Sequence, residues 1–233
     1  MRPISTFLIT FCLGLLFTAS AEAAGFNCAK AASADEKIVC GDTQLSHLDD
    51  VFNARYGAAR KTAPDEDDVV HSARNFLADR RDCGNDRACI LSTYLAILWE
   101  ISPDKSSFMQ GISAKSLTGG KQPGTSDIPT KPGQCAATTI LAVHPRVESG
   151  DAPVTDEDFG NGTGIDYAND GYQVSYNREQ MLIRSKPGDP VTQCLVEIDR
   201  DCEPDEDGRL FLVTNGRTKE SWILPDAQHK CGG

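Results

Sequence analysis

The chain has 233 residues, 39% of them hydrophobic and 24% charged, and its 34 Asp+Glu against 23 Lys+Arg give a net charge of −11. That acidity excludes nonspecific binding to nucleic acid or to an anionic bilayer. It suits solubility, and equally a long-range attraction to a basic partner. The charge is uneven: −4 over residues 25–105, +2 over 106–134 and −9 over 135–233.

Residues 1–23 read as a signal peptide. Arg2 forms a minimal positive region, Ile4 to Phe17 an apolar run, and "ASAEAAG" places the small residues Ala21 and Ala23 for signal peptidase. The run is shorter than the ~20 residues a membrane-spanning helix needs. Cys12 follows Phe11 rather than the small residue expected before a lipidated cysteine. Cleavage near Ala23 is therefore expected, with export to the periplasm or beyond, and no other segment is apolar enough to insert in a membrane.

Removing residues 1–23 leaves Cys28, Cys40, Cys83 and Cys89, then Cys135, Cys194, Cys202 and Cys231. An even count in an exported chain reads as a disulfide framework. Zinc is excluded on spacing, because no C-x-x-C pair occurs and the histidines are scattered. The predicted class is α+β as two domains. A disulfide-stapled α-helical hairpin domain (25–102) precedes a flexible Pro/Gly/Ser linker (103–133) and a small antiparallel β-rich barrel or sandwich (134–233).

In the first half, "SADE" is a capping box in which Ser33 and Glu36 start a short helix. Leu45, Leu48, Phe52, Tyr56 and Ala59 then recur at helical spacing over about 43–61. A second helix, about 65–82, begins with acid at "DEDD" and carries Val69, Ala73, Phe76 and Leu77 on one face. A last helix, capped by Asn85 or Asp86, uses Leu91, Tyr94, Ile97, Leu98 and Ile101. The two middle helices, joined by a short connection, predict an antiparallel hairpin. That hairpin would set Cys40 beside Cys83 and leave Cys28 for Cys89, one of the three pairings four cysteines allow.

From Gln134 the pattern changes to strands: 137–143, 172–176, 181–185, 191–198, 210–215 and 221–225, with turns at "SKPGDP" and "NGRTKE". If the last three strands form a meander, Cys202 meets Cys231, and Cys135 is left for Cys194.

Chemistry is sparse. There is no G-x-S-x-G, H-E-x-x-H or phosphate-binding glycine loop. His47 and His71 fall on predicted helices among charged residues, His144 precedes a proline, and His229 lies in the polar tail. "DEDFGNGTGID" (156–166) departs from a calcium loop, with Gly160 and Asn161 in the wrong order and Tyr167 in place of the bidentate acid. No catalytic residue, metal or cofactor is expected. Two turns have the character of protruding contact loops: "SKPGD", with Ser185, Lys186 and Asp189, and "NGRTKE", with Arg217 and Lys219.

"FNCAKAASADEKIVC", "LSHLDDVFNARY", "RNFLADRRDCGNDRAC" and "STYLAIL" together resemble the LprI-type lysozyme-inhibitor domain of exported bacterial proteins, over about residues 26–101. The matching positions are Cys28, Ala31, Glu36, Cys40, Leu45, Leu48, Asp49, Tyr56, Leu77, Arg80, Cys83, Cys89 and Tyr94. Phe76 stands where that family usually has Trp, and Ile97 where an Arg is common. The resemblance implies an exported, non-enzymatic inhibitor whose partner is lysozyme or another basic protein. A cell-envelope module recognising peptidoglycan or another envelope protein is the alternative.

Overall fold

The computed structural model describes residues 25–147, 153–203, 208–229 and 231. The expected signal peptide, 1–23, lies outside the described residues. The chain is α+β, a disulfide-bonded helical region followed by a six-stranded antiparallel half-barrel.

Each helix of the first half begins on a side chain that accepts from its first free N–H groups. Ser33 and Glu36 form the expected reciprocal box at α1 (Ala34–Gly41). Asp42 caps α2 (Thr43–Thr62), Asp65 caps α3 (Glu66–Asp82) and Asp86 caps α4 (Arg87–Ile101). α2 and α3 run antiparallel, with rungs at Asp49/Arg80, Phe52/Phe76 and Arg60/Glu66. Phe76 sits 4.6 Å from the Phe52 ring and 5.0 Å from the Tyr94 ring. Leu45 and Leu48 are buried beside them, Tyr56 stacks on Phe52, and Leu77 is 44% exposed.

The two N-terminal disulfides correct the expected pairing. Cys28 bonds to Cys40 and Cys83 to Cys89, so Cys40–Cys83 and Cys28–Cys89 do not form. The reason is local. Cys40, in the last turn of α1, folds back on its own leading segment, while a short turn after α3 returns α4 directly over Cys83. What crosses the end of the hairpin is ionic: Arg87 Nε donates to Asp42 at 2.6 Å and Arg80 Nε to Asp35 at 2.8 Å. In the second half the bonds are Cys135–Cys194, between paired residues of two strands, and Cys202–Cys231.

The segment 103–133, expected as a mobile tether, is packed. It contains a 3-10 turn at Lys105–Phe108 and α5 (Ala114–Thr118), and Phe108, Ile112, Ala114 and Leu117 are buried in the core. Its end is fixed by Gly133, whose N–H donates to Leu195 O at 2.9 Å. A Cβ on Gly133 would come within 2.6 Å of the Cys89 backbone, and its φ is +87°, so glycine is required there.

The strands are β1 (Cys135–Pro145), β2 (Thr163–Tyr167), β3 (Tyr172–Ser175), β4 (Pro190–Ile198), β5 (Arg209–Asn215) and β6 (Ser221–Pro225). They are ordered β3-β2-β1-β4-β5-β6 and all pair antiparallel, the last three as the expected meander. The sequence expectation of a strand at 181–185 fails: α6 (Gln180–Ile183) lies there, with Leu182 and Ser185 buried three residues apart. β2 falls inside the acidic stretch considered for calcium.

Both faces of the sheet are covered. Cys194, Val196, Leu210, Leu212 and Ile223 join one cluster with the helices, while Ile140, Ile165, Tyr167, Leu182, Val191, Val213, Trp222 and Leu224 fill the concave side. α4 lies between the hairpin and the sheet and is buried without a break from Ile90 to Leu98. Ile97 belongs to this shared core, so a charge there would be buried. Trp99 Nε1 completes the junction by donating to Ile223 O at 3.1 Å.

Candidate functional site

The two turns singled out in the sequence lie far apart along the chain, yet the fold brings them together at one end of the sheet. "SKPGD" leaves α6 and enters β4; "NGRTKE" joins β5 to β6. Asp189 holds them. Its carboxylate accepts from Arg217 Nε at 2.5 Å and Nη2 at 2.8 Å, from Asn215 Nδ2 at 2.9 Å and from the Lys186 N–H at 2.9 Å. The Arg217 guanidinium, with these other donors, keeps the Asp189 carboxyl far below the usual carboxylate range.

Asn215, fully buried, adds a second knot. Its Nδ2 also donates to Ser185 Oγ at 3.0 Å, and its Oδ1 accepts from the N–H groups of Arg217 at 2.8 Å and Thr218 at 3.1 Å. Arg184 pairs with Glu220 across the two loops. Gly188 N–H donates to Ile140 O at 2.8 Å and Ile140 N–H to Asp189 O at 3.0 Å, tying the pair to β1. A loop with its backbone and side chains so fully bonded is rigid, and rigidity lowers the ordering cost of binding.

The expected contact residues therefore divide. Ser185 and Asp189 are each 6% exposed and face inward, so they hold the loops rather than meet a partner. Lys186, Arg217 and Lys219 are exposed. Arg217 is committed to Asp189, whereas Lys186 and Lys219 make no ion pair among the described residues. The result is a positive tip on an acidic molecule.

The remaining candidates are occupied elsewhere. His71 Nε2 lies 3.1 Å from Asp201 in a contact between α3 and the segment after β4, and His144 stacks on Tyr172. Asp156 of the acidic stretch pairs with Arg178, and 156–161 forms a 3-10 turn. Among the described residues, no group of three His, Cys, Asp or Glu is placed to hold a metal ion.

No family model, no curated protein and no solved structure matches the chain. The site therefore stands on its own geometry.

Two clefts lie elsewhere on the molecule. One of about 470 Å³ lies between α3, α4 and the end of β4, where Arg200 bridges to Asp79 and Asp82. Burial raises the Asp79 carboxyl above its ordinary value despite that partner. The other, about 640 Å³, follows the seam between β3 and β6 and is lined by Trp99, Met109, Val174, Tyr176, Trp222 and Leu224. At this seam Gln173 is fully buried and fully bonded: Nε2 donates to Phe211 O and Leu224 O, both at 2.8 Å, while Oε1 accepts from Tyr167 at 2.6 Å and Trp222 at 2.9 Å. Burial raises the Tyr167 hydroxyl, which stays a neutral donor. The sequence carries no signal for this network beyond a Gln inside an apolar strand.

Four disulfides fit an extracellular or periplasmic protein. No helix among the described residues is long and apolar enough to cross a membrane.

Proposed function

We propose that the protein is an exported, non-enzymatic inhibitor of lysozyme-type muramidases, acting in the bacterial periplasm or outside the cell after removal of residues 1–23. The observation that carries this reading is the rigid loop pair, whose exposed Lys186 and Lys219 make no ion pair among the described residues, on a chain of net charge −11. Muramidases place two carboxylates in a cleft on a generally basic body. The acidic body of this chain steers such a partner, and the cationic tip meets its carboxylates. The likeness of the helical region to LprI-type domains points the same way.

Purified mature protein is expected to slow lysozyme-driven clearing of a cell suspension, with one-to-one stoichiometry and a stronger effect at low salt. No slowing of c-, g- or i-type lysozymes at micromolar protein contradicts the proposal. An envelope module that binds peptidoglycan is the second reading, favoured by the apolar seam cleft, and a peptidoglycan pull-down distinguishes it.

A further inference from the structure

The half-barrel does not close, and the sequence of its last strand explains why. Among the described residues β3 pairs only with β2 and β6 only with β5, so an edge of each is left at the seam. Ile223 O is taken by the Trp99 indole, and Pro225 has no N–H to give. β6 therefore lacks the full set of donors and acceptors that a ladder with β3 needs. The Gln173 side chain bridges the gap instead, bonded to Phe211 O and Leu224 O. What stays open is the cleft of about 640 Å³, within the ~300–1,000 Å³ range of small-molecule sites.

The chain holds two tryptophans and, after Met1, two methionines. All four line this cleft: Trp99, Met109, Met181 and Trp222. Both indole N–H groups are bonded within the protein, to Ile223 O and Gln173 Oε1, which leaves ring surface alone for a ligand. Methionine thioethers adapt to irregular apolar shapes. Such walls favour an apolar body, whereas polar groups laid on them lose their water without a partner. The rim decides the charge. Glu100, Glu179, Glu197, Asp199 and Asp226 line the cleft against Lys105 and Arg209, an excess of three carboxylates. Arg209 is bonded to Asp226 at 2.6 Å, and Lys105 Nζ lies 4.7 Å from the Trp99 ring centre, donating to backbone carbonyls. An anionic head is repelled there and an ammonium attracted, as the Trp99 ring already attracts that of Lys105. The chain's net charge of −11 acts in the same direction. We propose that the seam cleft binds a small cationic amphiphile, with its apolar body on the Trp and Met walls and its ammonium head at the acidic rim. Lys186, Arg217 and Lys219 do not line this cleft, so the inference is independent of the muramidase reading.

Because both tryptophans line the cleft, their emission reports its occupancy in the purified, disulfide-bonded protein without a label. The probes are dodecyltrimethylammonium and dodecanoate, each far below its micelle concentration, which share an alkyl chain and differ in head charge. The expected result is a saturable, one-to-one emission change with the ammonium, at least about tenfold tighter than with the carboxylate. Saturation should raise Tm by several degrees, and added salt should narrow the gap between the two heads. Glu100→Lys, at an exposed rim position, is expected to weaken the ammonium about fivefold and to leave the ligand-free Tm unchanged. No saturable change with either probe, a fall in Tm with the ammonium, or equal affinity for the two heads overturns the proposal. An ammonium affinity unchanged in Glu100→Lys overturns it as well, because the head then does not meet the rim. An emission change produced by a soluble peptidoglycan fragment and by neither probe overturns it in favour of the envelope-module reading.

Discussion

At the scale of single residues, Asp189 decides whether the two loops act as one. Its carboxylate takes four donors from three residues, with the two from Arg217 in the bidentate arrangement that gives guanidinium–carboxylate pairs their directionality. Because the folded carboxyl is held far below its unfolded value, the stabilisation is complete above pH ~4 and is lost as the pH falls through the folded value. Asp189→Asn is expected to lower Tm by a few degrees at pH 7, and the gap from the natural protein should close as the pH is taken below ~3. Thermal melts across that range check it; a gap independent of pH would mean the carboxylate charge contributes nothing. The sequence reading placed Ser185, Lys186, Asp189, Arg217 and Lys219 in suggestive turns. It had no access to which face inward, since the partners of Asp189 lie 26 and 28 residues away. Asp49, Arg80 and Tyr94 were visible as motif positions, but their bonding also spans 14 to 45 residues and only the fold reveals it.

Elements were more legible than contacts. Helices α2 and α3 fall within a residue of the expected bounds, because caps, acidic first turns and apolar spacing all agree. The expected strand at 181–185 failed because its five residues, three apolar followed by Arg184 and Ser185, carry no alternation that distinguishes a strand from one helical turn. The disulfides of the helical region failed for a different reason. An antiparallel hairpin brings its ends near each other, but a bond to a neighbour a few residues away needs less reach, and Cys83–Cys89 closes over a separation of only six. The segment 103–133 reads as a tether because Pro and Gly are spread through it, while its apolar anchors are few: Phe108, Ile112 and Leu117. Leu117→Ala is expected to cost about 2–4 kcal/mol of stability in denaturant unfolding. A free tether would show no change.

The whole molecule follows from one helix. "RACILSTYLAILWEI" is apolar on every side, and a helix of that kind must be covered on every side. The hairpin covers one side of α4 and the sheet the other, so the helical and β regions share a core that a reading of one apolar face per helix did not anticipate. That shared core fixes the loop pair relative to the helices, and it makes the charged tip a feature of the entire folded chain. On the proposed function this tip contacts a muramidase. The most direct measurement is the inhibition constant for lysozyme of the natural protein beside the double variant Lys186→Glu, Lys219→Glu, neither residue being buried or ion-paired among the described residues. The double variant is expected to inhibit at least tenfold more weakly with unchanged Tm. Equal inhibition by both proteins, or inhibition by neither, would contradict it.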